Sequence, residues 1–295
     1  MSKRSSYALA IHGGAGVKPG RDYSRVEEHL ETLIAKGEAM LRAGESALDT
    51  VETMVANLEG SGLYVAGRGS APSRSGRYEL DAALMDGARQ AAGAVANISA
   101  VKHPIKAARH VLEHSPHVLF AGEGANQVAR EAGLEHVEDP EDWYTLPVGV
   151  LQTETEEAEL QHGTVGAVAL DRNGNLASAT STGGLFGKAS GRIGDTPLIG
   201  AGTWASDRVA VSCTGLGEFF ILAGTAKDVD ARMRYGGETL EHAASASLDD
   251  IARLGGDGGL IAIDTEGNMA LPFNSDGMKR AWVREGQSPG FAIYS

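Results

Sequence analysis

Glycine falls in short strings along this chain, Gly13-Gly14, Gly183-Gly184, Gly255-Gly256 and Gly258-Gly259 among them, set between apolar runs. A residue without a Cβ reaches positive φ freely and lets backbones approach closely, so such strings mark tight turns and backbone-lined sites. There are 40 glycines in 295 residues, but 42% hydrophobic and 22% charged content are ordinary for a globular protein. The chain is therefore rich in turns and is not a flexible low-complexity segment.

Between the strings the side chains follow two periods. Residues 7–12 form an apolar strand that ends in a glycine turn. Across 21–42, Val26, Leu30, Leu33, Ile34 and Met40 recur at helical spacing on a charged background. Ser46 reads as the N-cap of a second helix to about residue 58, with Leu48, Val51, Met54 and Val55 inward. Residues 79–86 and 92–98 read as strands, Pro104 opens a helix through 114 from an N1 position, and 124–132 is helical. Strands at 165–170 and 176–180 flank a hairpin signal, Asp171-Arg172-Asn173-Gly174-Asn175. Helices are expected at 218–234 and 245–254, and strands near 260–264 and 269–273, with a turn at Glu266-Gly267. Blocks of strands and blocks of helices, in place of βαβ alternation, predict an α+β protein of stacked antiparallel sheets flanked by helices, in one domain over 1–295.

A net charge of −13 argues against nucleic acid or an anionic membrane as partner. It permits a cationic substrate, although a solvated acidic surface accounts for it as well. One cysteine, Cys213, excludes an intrachain disulfide and suits a reducing compartment. The opening residues carry no apolar signal core and no stretch is long enough to span a bilayer, so a cytoplasmic protein is expected.

The acidic run 153–159 reads as an exposed loop, and just beyond it stands His162-Gly163-Thr164-Val165-Gly166, which opens a strand. A threonine at such a junction, preceded by glycine, is where a precursor can cut itself and expose a new N-terminal threonine. That residue then carries nucleophile and base together, hydroxyl and free α-amine. The amine titrates near pH ~8, so an appreciable fraction is neutral without special tuning.

Four further strings come after it in order: Ser181-Thr182-Gly183-Gly184, Gly191-Arg192-Ile193-Gly194-Asp195, Ser212-Cys213-Thr214-Gly215-Leu216-Gly217-Glu218, and Gly255 through Leu260. Together with Ile11-His12-Gly13-Gly14-Ala15-Gly16 and Leu271-Pro272-Phe273-Asn274, they make the chain resemble the plant-type asparaginase and isoaspartyl peptidase family of N-terminal-nucleophile hydrolases, nearly end to end. The resemblance implies a four-layer αββα sandwich, self-cleaved into 1–163 and 164–295. It implies Thr164 as nucleophile, cut from Gly163, with Thr182 orienting it and Thr214 and Gly215 forming the oxyanion hole. Arg192 would hold a substrate α-carboxylate and Asp195 its α-ammonium, as their chemistry suits. Gly215 and Gly217 would let backbone approach the substrate. A structural sodium ion would take carbonyls of Leu58, Glu59, Ser61, Tyr64, Ala66 and Arg68, with no cofactor needed for chemistry, and the protein would be a homodimer of cleaved protomers. The expected activity is hydrolysis of β-aspartyl dipeptides and, less efficiently, of L-asparagine. The acidic charge is the only sequence support for a preference for basic β-Asp-Arg or β-Asp-Lys dipeptides.

One position departs from the family, which usually has asparagine where this chain has Val65, a side chain that forms no hydrogen bonds. No asparagine role is carried onto it. Other readings carry less. Gly215-Leu216-Gly217 lacks the third glycine of a dinucleotide loop. His114 and His117 lack a third ligand nearby and read as surface or helix-end histidines. Cys213 reads as a small buried hydrophobe. A glycosylasparaginase-like activity remains as an alternative, against which the missing secretion signal and disulfides weigh. So does a non-cleaving binder with Val65 as the lesion, against which Thr164, Thr182, Arg192, Asp195 and Thr214 weigh together.

Overall fold

A computed structural model describes residues 6–151, 153 and 163–294. The acidic run 153–159, apart from an exposed Thr153, lies outside the described residues, as do His162 and the first five residues.

The helices start where local chemistry says they should. Ser46 accepts a hydrogen bond from the Asp49 amide at 3.1 Å and caps α2 (Ala47–Ser61). Pro104 is the first residue of α3 (Pro104–His114), where its missing N–H costs nothing. α1 (Ser24–Ala43) and α4 (Glu123–Glu131) occupy the other predicted helical stretches, and a short α5 (Pro140–Trp143) has no counterpart in the sequence expectation. The single helix expected over 218–234 is broken: α6 (Gly217–Ala223) stops at Gly224, whose φ is 61°, and α7 (Thr225–Ala231) restarts in a new direction before a π-helical turn (Arg232–Gly236). α8 (Leu240–Arg253) begins earlier than expected because Thr239 caps it.

Twelve strands form two sheets among the described residues. The larger runs β12 (Gly290–Ala292), β11 (Met278–Arg284), β1 (Ala8–Ala15), β5 (Val165–Leu170), β6 (Leu176–Thr182), β2 (Leu80–Asp86), β3 (Ala91–Ile98) and β4 (Leu119–Ala121). Its pairs are antiparallel except β3 with β4. The smaller sheet runs β10 (Met269–Ala270), β9 (Gly258–Asp264), β8 (Val209–Gly215) and β7 (Thr203–Ala205), all antiparallel. β10 is shorter than the 269–273 expected.

Alternation along the central strands sorts the core into two layers. Leu9, Ile11, Val165, Ala167 and Ala169 pack with Leu30, Ile34, Val51 and Met54 of α1 and α2. Ala8, Ala10, Val168 and Leu170 face the other way, onto Ala210, Ile261 and Ile263 of the second sheet, whose opposite face, with Val211 and Leu260, lies beneath Leu248 and Ile251 of α8. Each buried aliphatic side chain is worth about 1.5–3 kcal/mol. The order helix, sheet, sheet, helix is the αββα sandwich. The same alternation puts Thr164 and Thr182, at the ends of neighbouring strands of the large sheet, and Thr214, on β8 of the smaller one, on faces turned toward the space between the sheets.

Candidate active site

Thr164 is the last residue before β5, and Thr182 the last of its partner β6. Their hydroxyls meet in a buried triangle. The Thr164 hydroxyl donates to Thr182 Oγ1 at 3.3 Å, and Thr182 donates to the carbonyl of Gly163 at 2.7 Å. The Gly184 amide donates to Thr182 Oγ1 at 3.0 Å. One hydroxyl thus touches both the Thr164 oxygen and the carbonyl of the Gly163–Thr164 peptide.

Two features press on that peptide. Gly14, at φ +98°, passes so close that a Cβ there would lie 3.0 Å from the Thr164 carbonyl oxygen and 3.1 Å from its nitrogen. On the other side a Cβ at Gly163 would lie 2.6 Å from Cβ of Val65. Val65 therefore packs an apolar wall against the peptide.

Thr164, Thr182, Gly163, Gly184, Leu185, Arg192, Gly194, Asp195 and Gly215 line one narrow cleft. Asp195 is 4% exposed, and its Oδ2 has no hydrogen-bond partner. Burial pushes its carboxyl up to about 7, a shift opposed by a backbone hydrogen bond and by the nearby charge of Arg192. A buried carboxyl with one unpartnered oxygen in a cleft is suited to receiving a cationic group.

Arg192 and Asp195 share the cleft but do not pair with each other. The guanidinium grips Glu218 with two bonds, Nε to Oε1 at 2.9 Å and a terminal nitrogen to Oε2 at 2.8 Å. That contact also holds the Glu218 carboxyl below its usual range. In the sequence Glu218 is no more than the end of a motif. An Arg–carboxylate fork fixes the guanidinium plane, leaving the rest of its edge toward Gly194. We expect Glu218→Gln to raise KM for an amino-acid substrate several-fold while leaving kcat near wild type. Steady-state kinetics would check this, and an unchanged KM would show that the fork does not orient Arg192.

Thr214 stands back from the cleft and accepts the Ala15 amide at 3.1 Å, so its own proton is left to donate. Gly217 is also behind the cleft wall: a Cβ there would sit 2.8 Å from Asp195 Oδ1. The close approach that Gly217 permits is thus by Asp195 of the same chain. Beneath the triangle, His12 is fully buried and meets Ser212 Oγ at 2.9 Å, which meets Thr180 Oγ1 at 2.8 Å. Burial drives the His12 ring down to about 3, so it is neutral. Glu59 is another buried group, which the sequence singles out only for its carbonyl. Its Oε1 accepts Ser181 Oγ at 2.6 Å and the Ile105 amide at 3.1 Å, tying α2 to the end of β6. No short-range pattern announces either contact, since the partners are far apart in sequence.

The segment expected to bind sodium is a helix end folded back on itself. α2 stops at Gly62 (φ 72°), and Gly67 (φ +52°) returns so closely that a Cβ on it would lie 2.5 Å from the Glu59 carbonyl. The carbonyls of Leu58, Tyr64, Ala66 and Arg68 each accept one hydrogen bond, from Ser61 Oγ and from the amides of Ala66, Gly69 and Thr145. A carbonyl has two lone pairs, and helix C-terminal carbonyls carry partial negative charge, so the donors suit a hard cation held by backbone oxygens. His114 and His117 do not face a common point of this kind: His114 packs on His110 and His117 on Phe120. Cys213 is fully buried and its thiol is pushed up by burial.

The sequence has counterparts among known proteins. The chain belongs to the asparaginase family, whose model matches residues 5–293. The isoaspartyl peptidase of Salmonella typhimurium is 47% identical over 97% of this chain and 98% of its own length. That of Escherichia coli is 48% identical over 97% and 95%, and the plant-type L-asparaginase of Pyrococcus horikoshii is 38% identical over 95% and 97%.

Proposed function

We propose that this protein cuts itself between Gly163 and Thr164 and then hydrolyses amides at the β-carboxyl of aspartate. Its substrates would be isoaspartyl dipeptides and, less efficiently, L-asparagine. The observation that carries the reading is the hydroxyl triangle of Thr164, Thr182 and the Gly163 carbonyl, in one cleft with Arg192 and the open carboxyl of Asp195.

Self-cleavage is an N-to-O acyl shift. Thr164 Oγ1 bonds to the Gly163 carbonyl carbon, its proton passes to Thr182 Oγ1, and the Thr182 proton passes to the carbonyl oxygen. Collapse re-forms the carbonyl, breaks the C–N bond and returns that proton to the Thr164 nitrogen. Water then hydrolyses the ester, leaving a Gly163 carboxylate and a Thr164 with free hydroxyl and free amine. In turnover that amine takes the hydroxyl proton while the oxygen attacks the substrate carbonyl. The Thr214 hydroxyl and the Gly215 N–H stabilise the oxyanion, Arg192 holds the α-carboxylate, and Asp195 holds the α-ammonium. β-Aspartyl dipeptides and asparagine share that head and differ only in the leaving amine.

The carbonyls of Leu58, Glu59, Ser61, Tyr64, Ala66 and Arg68 would hold a sodium ion that braces the turn bearing Val65. No helix among the described residues is long and apolar enough to cross a membrane, and the working form is a cytoplasmic homodimer of cut protomers. The test is a coupled assay on a panel of β-aspartyl dipeptides and asparagine. Release of aspartate from the dipeptides is expected, and turnover of none of them would overturn the assignment. Equal rates for neutral and basic leaving groups would remove any preference for β-Asp-Arg or β-Asp-Lys.

A further inference from the structure

The Thr182 hydroxyl is the end of a longer line of polar groups. Lys188, in the loop after β6, is 3% exposed. Its Nζ donates to the Gly183 carbonyl at 3.0 Å and to the carbonyl of Glu79. The charges around it are Asp81 on β2, Glu79 just before that strand, and Arg192 on its own loop. Among the described residues its hydrogen bonds go to neutral carbonyls, so the ammonium is not matched by a bonded carboxylate.

The Gly183 carbonyl and the Gly184 N–H belong to one peptide plane. A cation bound at the oxygen polarises the amide and strengthens its N–H as a donor, the cooperative effect expected of hydrogen-bond chains in a low-dielectric interior. That N–H is the one that donates to Thr182 Oγ1 at 3.0 Å, and Thr182 in turn donates to the Gly163 carbonyl at 2.7 Å. We propose that Lys188 is a positioning residue for self-cleavage: it fixes the Gly183–Gly184 peptide and, through it and the Thr182 hydroxyl, polarises the Gly163 carbonyl for attack. This rests on the reading that the chain cuts itself at Gly163–Thr164. No proton leaves Lys188 in the step; its charge strengthens the Thr182 donor as the carbonyl oxygen gathers the electron pair.

The geometry also accounts for the residue type. A methionine fills the same space without a charge, and an arginine keeps a charge with a different head. Burial, aided by Arg192, lowers the Lys188 ammonium from its ordinary value, while Asp81 and Glu79 oppose this. The charge is therefore lost at a lower pH than in an exposed lysine.

The experiment tracks cleavage by intact mass in the full-length chain after cell-free synthesis, for wild type, Lys188→Met and Lys188→Arg, with cooperative thermal unfolding as the check on folding. A lost charge-assisted hydrogen bond should slow Lys188→Met about tenfold or more at about pH 7, with Lys188→Arg recovering most of the rate. The gap between Lys188→Met and wild type should narrow as pH rises into the alkaline range, because wild type then loses the same charge. A packing defect would leave that gap the same at every pH. A Lys188→Met rate equal to wild type, or a gap independent of pH, overturns the proposal. If Lys188→Met does not fold, the wild-type and Lys188→Arg profiles decide: the wild-type rate must fall relative to Lys188→Arg as pH rises, and parallel profiles overturn it. A wild-type chain that never cuts would instead refute self-cleavage itself, an outcome separate from these.

Discussion

Thr164→Ala will stay a single chain of 30.6 kDa, while the wild-type protein is expected to divide into residues 1–163 and 164–295. Alanine removes the attacking oxygen and leaves the rest of the triangle in place, so the Gly163 carbonyl still meets Thr182 but nothing adds to it. Without the cut there is no free amine, and turnover of any β-aspartyl dipeptide should drop by about 10⁴-fold or more, as when a nucleophile acting with its base is removed. Intact mass after incubation, beside the substrate assay, checks both. A Thr164→Ala chain that still divides at the same bond would move the nucleophile elsewhere. Thr164 is 4% exposed, so losing its methyl and hydrogen-bonded hydroxyl should cost on the order of 1–3 kcal/mol, and a folded, uncut protein is the expected product.

The second large effect belongs to Asp195. Asp195→Asn keeps the shape but removes the charge meant for the substrate ammonium, and kcat/KM should fall about 10²–10³-fold, most of it in binding. The pH dependence carries a sign. The carboxyl is raised to about 7 in the empty cleft, so it is protonated below that pH and cannot pair with an ammonium. Wild-type kcat/KM should therefore rise through about pH 7, and Asp195→Asn should lose that limb and keep only the limb of the Thr164 amine near pH ~8. Stability runs the other way. A carboxyl whose folded-state value is raised above the unfolded one contributes stability fully below the unfolded value, near 3.8, and loses it as pH rises toward 7. Asp195→Asn should accordingly melt several degrees higher than wild type at about pH 8 and almost equally at about pH 4. A variant that is less stable than wild type at alkaline pH would show that the empty cleft holds the carboxylate better than its burial implies.

Most of the molecule's plan can be read from the chain because it is written in local signals. Ser46 and Pro104 start their helices for reasons that need only the neighbouring residues, and alternating apolar residues set β5 and β6. Five of the described strands are missed: β8, whose apolar run 209–211 passes straight into the string 212–217, β12 with three residues, and three more. β4 and β7 have three residues each, and β11 carries Lys279, Arg280 and Arg284 along its length. The expected helix over 218–234 runs on through Gly224 because one glycine in an apolar pattern is weak warning of a break. At the cleft, the glycine-flanked strings name the residues that gather there, yet their pairings depend on the fold. Arg192 faces Glu218 across 26 residues of chain, and His12 meets Ser212 across 200. No spacing rule reaches that far. Lys188 is inconspicuous for the same reason: a lone lysine in a glycine-rich loop looks solvated until the fold buries it.

Strand order in the large sheet decides how the molecule would behave after the proposed cut. β1 lies between β11 and β5, and β6 pairs with β2, so strands from before and after Gly163 alternate across the middle of one sheet. Once divided, neither piece owns a complete core, and neither leaves without opening several ladders at once. The severed molecule is durable while folded. If it is melted, however, recovery needs two separate chains to find each other, so what began as a unimolecular search becomes a concentration-dependent encounter. A protein cut in this way would fold once, before the cut, and be protected afterwards by the slowness of its own opening.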